Sequence, residues 1–243
     1  MTAFVYSVLF AMQISLIYSS SIPQIHSRCK SWESECLARQ IQINVPSLVS
    51  GIRELGTELL DPMHIDSGRI DLAGLKMDLT NAVIRGYGNA VVDRASVDPF
   101  GKQLYLVYHT DITIDSEYNA GGRLLGSPIA GDGNIRIIMR NVQIEALLPF
   151  DIVKDAQGRA VIELKSIQSR LHFRNNVRFD LSNLFYGDKE LSDSMHQFIN
   201  ANWKTVSETY SKPIFDIAQE KLLKVLRSYL LTQPLENIFN FFN

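Results

Sequence analysis

The sequence is poor in the residues that most chemistry needs. Only two of its 243 residues are cysteine, and no His pair stands beside them, a weak signal for a structural zinc centre, which takes four Cys or His ligands. The histidines His26, His64, His109, His172 and His196 stand apart. None falls into the His-Glu-x-x-His spacing that would set two ligands on one helical face. No Gly-x-Ser-x-Gly elbow occurs; Gly126-Ser127-Pro128 comes nearest and fails. A P-loop is missing, and Gly86-Tyr87-Gly88 lacks the third glycine of a dinucleotide fingerprint. The expectation is a protein that is not an enzyme and holds no cofactor and no metal. Charge of one sign is missing as well. The chain has 24 Lys+Arg against 26 Asp+Glu, a net charge of −2, and no basic run. That argues against a nucleic-acid partner and against charge-driven docking to a membrane. There is no Asn-x-Ser/Thr sequon, so no N-linked sugar is expected.

Long apolar runs are scarce too. One spans Phe4 to Ile17, broken only by Ser7, Gln13 and Ser15. It is short for a spanning helix, which needs about 20 residues. The small residues Ser19, Ser20 and Ser21 follow it, as after the apolar core of a secretory signal. The expectation is a signal peptide over 1–21, cut after Ser21, a single domain over 22–243, a secreted, extracellular location and no stable membrane insertion. Cys29 and Cys36 come just after that cut and should pair in an oxidising compartment. The loop is small, so the entropic gain is modest, on the order of 2 kcal/mol; its role is to pin the start of the mature chain.

What is abundant is amphipathic pattern. From Asp188 to Leu231 the apolar residues, among them Met195, Ile199, Trp203, Val206, Tyr210, Ile214, Val225 and Tyr229, recur every three or four positions. That spacing predicts a helix with one apolar face. Asp188 is placed to cap it, Glu190 and Asp193 suit its positive end, and Lys221, Lys224 and Arg227 suit its negative end. Pro213 predicts a bend near Thr209 to Pro213. A shorter helix is expected over Glu35 to Ser50, with Leu37, Ile41, Val45 and Leu48 on one face, Ser34 as a cap and Pro46 as a disturbance.

Between the helices the period is two. Leu75, Met77 and Leu79 alternate with polar residues, as do Leu104 to Tyr108, Ile112 and Ile114, Ile135 to Met139, Val142 to Leu148, Ile162 and Leu164, Leu171 and Phe173, and Val177 to Leu181. These read as half-buried strands. Asp98 to Gly101, Gly121-Gly122, Gly131 to Asn134 and Asp155 to Gly158 read as turns between them. Strand following strand without helices predicts an antiparallel meander. The fold class is therefore α+β, a strongly curved antiparallel sheet wrapped around one long C-terminal helix, with a short N-terminal helix.

Several local motifs resemble the takeout/juvenile-hormone-binding family of insect secreted proteins, over essentially the whole mature chain. They are Cys29 and Cys36 followed by Leu37, Gly51 to Gly56, Leu60 to Ile65, Gly122 to Leu125, Pro128 to Gly133, Leu184 to Leu191 and Phe198 to Trp203. The resemblance implies a tubular lipid-binding-like fold with an apolar tunnel along the helix. It also implies a carrier of a small lipophilic ligand (juvenile hormone, another isoprenoid or a fatty-acid-like molecule). The single cysteine pair marks a takeout-like member with more varied ligands. The tunnel-lining residues so expected are Leu37, Ile41 and Val45 on the first helix, Tyr105 from the sheet, and Phe198, Ile199, Trp203, Val206 and Tyr210 on the long helix. Tyr105, Tyr108, His109 and Asn202 are candidate polar anchors. The competing readings are a secreted non-catalytic interaction protein with a filled core and a surface-docking lipid transfer protein that samples membranes, whose vesicle binding the near-neutral charge disfavours; the sequence assigns no protein partner. Intact mass of the secreted protein should show cleavage next to Ser21 and, on reduction and alkylation, a gain of two alkyl groups. Two free thiols before reduction would refute the Cys29–Cys36 bond.

Overall fold

The computed structural model describes residues 22, 23, 25 and 28–239, so the expected leader and its cut lie outside the described residues. Chain order is α1 (Ser34–Val49), β1 (Met63–Leu72), β2 (Leu75–Arg85), β3 (Val91–Asp98), β4 (Gln103–Leu124), β5 (Ser127–Lys154), β6 (Ala160–Leu164), β7 (Gln168–Phe173), β8 (Val177–Leu181), α2 (Lys189–Ala201), α3 (Trp203–Tyr210), α4 (Lys212–Leu230) and α5 (Leu235–Ile238). All strand pairings are antiparallel, as the absence of crossover helices requires.

The frame is the β4–β5 hairpin, paired from Gln103↔Pro149 to Leu124↔Ser127. Its register breaks in the middle, between Thr110 and Ile112. There Asn141 turns into the left-handed region (φ 50°), and the Asp111 carboxylate accepts its N–H at 2.8 Å and an Arg140 guanidinium N–H at 2.7 Å. These bonds hold the Asp111 carboxyl below the usual carboxylate range. At this level β4 exchanges β2 for β3 as neighbour, and β5 exchanges β8 for β7. The inward residues of β5 slip phase here too, from Ile135, Ile137 and Met139 to Val142, Ile144 and Ala146. A bulge of this kind bends a strand and raises its twist. It curls the sheet around the helices.

The helical run is divided into three. Asp188 caps α2 as expected, accepting the Leu191 N–H at 3.0 Å. Asn202 leaves helical geometry (φ −103°, ψ 22°) and separates α2 from α3. The expected bend falls at Ser211, where Pro213 in the first turn of α4 has no N–H to continue the ladder. In α1, Glu33 rather than Ser34 sits at the cap, and the helix runs through Pro46. Helix α4 lies against β1, where Gly68 admits Ile214; a Cβ there would stand 2.8 Å from the Ile214 Cδ1. Helix α2 closes the free edge of β8. Asn200 accepts the Phe179 N–H at 2.9 Å and donates to the Phe179 carbonyl at 2.9 Å, and His196 Nε2 accepts the Leu181 N–H at 3.0 Å. The Cys29–Cys36 disulfide forms, and the Cys29 N–H reaches the Ile238 carbonyl at 3.1 Å, joining both ends of the domain.

Two expected turns are corrected. Gly121-Gly122 lies within β4, and Gly131 to Asn134 lies within β5. Gly131 (φ 146°) is needed because the Asn183–Leu184 backbone crosses there, and a Cβ would come within 2.7 Å of the Asn183 carbonyl oxygen. Gly131→Ala should therefore lower stability by on the order of 3 kcal/mol in chemical denaturation. Gly121→Ala, whose Cβ meets nothing within 4 Å, should change it by less than about 0.5 kcal/mol. Equal losses at both sites would rule out the strand crossing as the cause.

Candidate functional site

The curl leaves two apolar cavities inside the domain. The first, of about 80 Å³ measured as space for water centres, lies between the β2–β4–β5–β8 end of the sheet and the α2–α3–α4 junction. Strands supply Leu75, Met77, Ile129, Ile135 and Phe179; helices supply Ile199, Val206, Tyr210, Ile214 and Phe215. The second, of about 130 Å³, lies under α1, between Leu37, Ile41 and Leu48 on one side and Leu104, Leu148 and Leu164 on the other. The far end of α4 (Leu226, Tyr229, Leu230) and Phe239 complete it. Among the described residues no charged side chain lines either cavity. The polar members are Ser207, Tyr210 and Ser211 in the first and Gln40, Asn44 and Tyr229 in the second.

Chain order shows what separates them. Along α4, Ala218 and Val225 fall between the residues of the two cavities; along β4, Tyr108 and Ile112 do so; along β5, Val142 and Ile144. All six are buried in one continuous core cluster. The interior thus holds two cavities, one at the α2–α3–α4 junction and one at the far end of α4, with buried core residues between them in chain order; the expected unbroken tunnel is not resolved.

The expected lining residues divide accordingly. Ile199, Val206 and Tyr210 face the first cavity, and Leu37 and Ile41 face the second. Val45 is buried on α1 and is not among the wall residues. Phe198 and Trp203 pack half-buried against the main core, and Trp203 also borders a polar surface depression with Arg178, Asp180 and Asn200. Tyr105 stands between Leu104 and Leu106, both of the second cavity, and so projects from the opposite face of β4. The candidate anchors do not converge. His109 Nδ1 pairs with the Asp93 carboxylate at 2.9 Å, and Asn202 donates to the Phe198 carbonyl at 2.8 Å. Tyr108 is buried in the core between the cavities. The strand residues of the walls were within reach of sequence reading, since they are the apolar positions of the period-two pattern; the helix stripe alone does not name them. Among the described residues no three His, Cys, Asp or Glu side chains are placed to hold a metal ion, and no described helix is long and apolar enough to cross a membrane.

Buried tyrosines carry part of the interior polarity. The Tyr210 hydroxyl oxygen accepts the Leu125 N–H at 3.2 Å, and the Tyr229 hydroxyl donates to the Pro23 carbonyl at 3.2 Å. Burial pushes the Tyr229 phenol up to about 12. Burial, with the Asp132 charge behind it, does the same to Tyr118. Tyr87 and Tyr108 are pushed up by burial as well, aided respectively by Asp61 and by Tyr87.

The sequence pattern of the haemolymph juvenile hormone binding protein family matches residues 5–240. Two circadian clock-controlled daywake proteins of fruit flies are similar to the chain. That of Drosophila yakuba is 26% identical over 234 residues, and that of Drosophila melanogaster 24%, each match covering 91% of this chain and 89% of the relative. The crystal structure of Epiphyas postvittana Takeout 1 superposes with a TM-score of 0.84 at 34% identity, covering 88% of this chain and 99% of the other.

Because a phenol raised on folding ionises first in the unfolded chain, it contributes stability below the ordinary 10.0, and that stability is lost as pH rises toward the folded value. Thermal stability should accordingly hold up to about pH 10 and fall between 10 and about 12, with phenolate absorbance appearing together with unfolding. Ionisation of every tyrosine near pH 10 in still-folded protein would contradict the buried placement.

Proposed function

The chain belongs to the haemolymph juvenile hormone binding protein family, and from that premise we propose that it is a secreted carrier of neutral lipophilic molecules and not an enzyme. The observation that carries this reading is the composition of the cavity walls, whose described residues supply carbon with a few hydroxyl and amide groups and no charge. A buried site normally combines apolar walls with a few polar groups that orient the ligand. The expected leader and the disulfide support passage through the secretory route.

The same walls select among the ligand classes. A free carboxylate placed in either chamber would find no cation among the described wall residues, and burying an unpaired charge costs several kcal/mol. An ester, ketone or alcohol of similar length escapes that cost, because one neutral acceptor is met by a single hydroxyl. The apolar walls suit a hydrocarbon such as an isoprenoid. Of the classes expected from sequence, the neutral isoprenoids are favoured over free fatty acids.

The test is a matched pair. Delipidated protein is titrated at pH 7 with a long-chain isoprenoid methyl ester and with the corresponding free acid. The ester should saturate at micromolar concentration or below, since burial yields about 25 cal/mol per Å² before entropy costs, and the acid should bind about tenfold more weakly or worse. Equal affinities would refute the neutral-ligand reading. No saturable binding of any apolar compound by folded protein would favour the interaction protein with a filled core.

A further inference from the structure

The end of the domain that holds the second cavity carries two aromatic side chains with no cover. Phe100 is 99% exposed and Trp32 is 71% exposed. They lie on adjoining loops. The Val97 N–H donates to the Ser31 carbonyl at 3.2 Å, which sets the residue before Trp32 against the end of β3, and the β3–β4 turn that bears Phe100 begins just beyond. Neither loop is slack. The Asp98 carboxylate accepts the Phe100 and Gly101 N–H groups at 3.0 and 2.9 Å, and the disulfide with the Lys30 N–H to Glu33 Oε2 bond (2.9 Å) holds the other loop. The turn is thus built to hold a phenyl ring in solvent.

We infer that this tip docks on the surface of a lipid bilayer and presents the second cavity to it. Aromatic side chains settle at the membrane–water interface, Trp above all. The Lys30 ammonium stands 5.6 Å from the centre of the Trp32 ring, so a cation would lie at headgroup level beside the indole. Charges of both signs surround the tip: Lys102 and Lys165 hold the Asp151 carboxylate at 3.0 and 3.3 Å, while the Asp98 and Glu33 carboxylates accept backbone N–H groups. A tip of mixed charge fits a zwitterionic headgroup layer, where insertion of aromatic rings and not counter-ion attraction supplies the affinity. Two isolated rings are too little for a protein partner, since a stable protein interface takes about 800 Å² from each side. Position adds to the argument. Val97 and Leu104, at the two roots of the Phe100 turn, and Leu37, next to Cys36, are all wall residues of the second cavity. A docked tip therefore shortens the aqueous path that a lipophile crosses on its way in or out.

The inference rests on the carrier reading, and its test is separate from the ligand titration. Full-length secreted protein is sedimented with phosphatidylcholine vesicles, as wild type and as the Trp32→Ser/Phe100→Ser double variant. Wild type should co-sediment, and raising the salt concentration should leave its binding unchanged within about twofold. The double variant should bind about tenfold more weakly or worse, while its circular dichroism and its affinity for the soluble isoprenoid ester stay those of wild type. Failure of wild type to bind these vesicles would overturn the proposal and leave the carrier reading standing. Binding confined to anionic vesicles and abolished by salt would overturn it too, as would a double variant that binds like wild type. Concentration-dependent self-association that the double variant loses, without vesicle binding, would assign the tip to a second copy of the chain instead.

Discussion

A two-stranded ladder cannot stay straight at the length of β4 and β5. At about 3.3 Å per residue the 28 residues of β5 would reach far beyond the width of a domain of this size. The hairpin closes on a core only because it bends once, at the Asp111–Asn141 bulge. That bend also lets each long strand change neighbours, so that two short strands flank each half of the hairpin where one pair of full-length strands would otherwise be needed. The helices then fill the trough. Hydrophobic burial drives the closure, and the carboxylate bonds at the bulge fix where it happens.

The same bend lies at the level of the core between the two cavities, where Tyr108 and Ile112 of β4, Val142 and Ile144 of β5, and Ala218 and Val225 of α4 are buried in one cluster. Each chamber draws one wall from the sheet and another from a helix, which is why the lining residues are scattered over the chain from Leu37 to Phe239.

Much of this was legible before any coordinates. Alternation located most of the strands, helical periodicity located α1 and the C-terminal run, and Pro213 located one of its breaks. The phase slip on β5 is visible in its buried apolar positions, which are odd up to Met139 and even from Val142, though Ile138 and Leu147 blur it in the sequence. It records the bulge for a reader who counts parity. The misplaced residues have physical reasons. Gly131 to Asn134 has the composition of a turn, yet there the glycine answers to a crossing backbone, a long-range fact that no local window contains. Tyr105 has the right type for a pocket and the wrong parity, lying between Leu104 and Leu106. Trp203 follows the break at Asn202, which turns the start of α3 enough to take the indole off the cavity wall. The separation of the cavities was invisible because it depends on how closely α4 approaches the sheet, and residue type alone does not fix that distance.

The side chains of His196 and Asn200 on β8 have a meaning for life at high concentration. An open strand edge is a template on which another chain can grow. Here the Phe179 amide and carbonyl and the Leu181 amide are already taken by α2, so no incoming strand finds them vacant. Filament growth from this edge would first require α2 to melt, and that would also take Ile199 out of the wall of the first chamber and open it to water. Resistance to polymerisation and retention of cargo thus share one threshold, and whatever loosens α2 endangers both together.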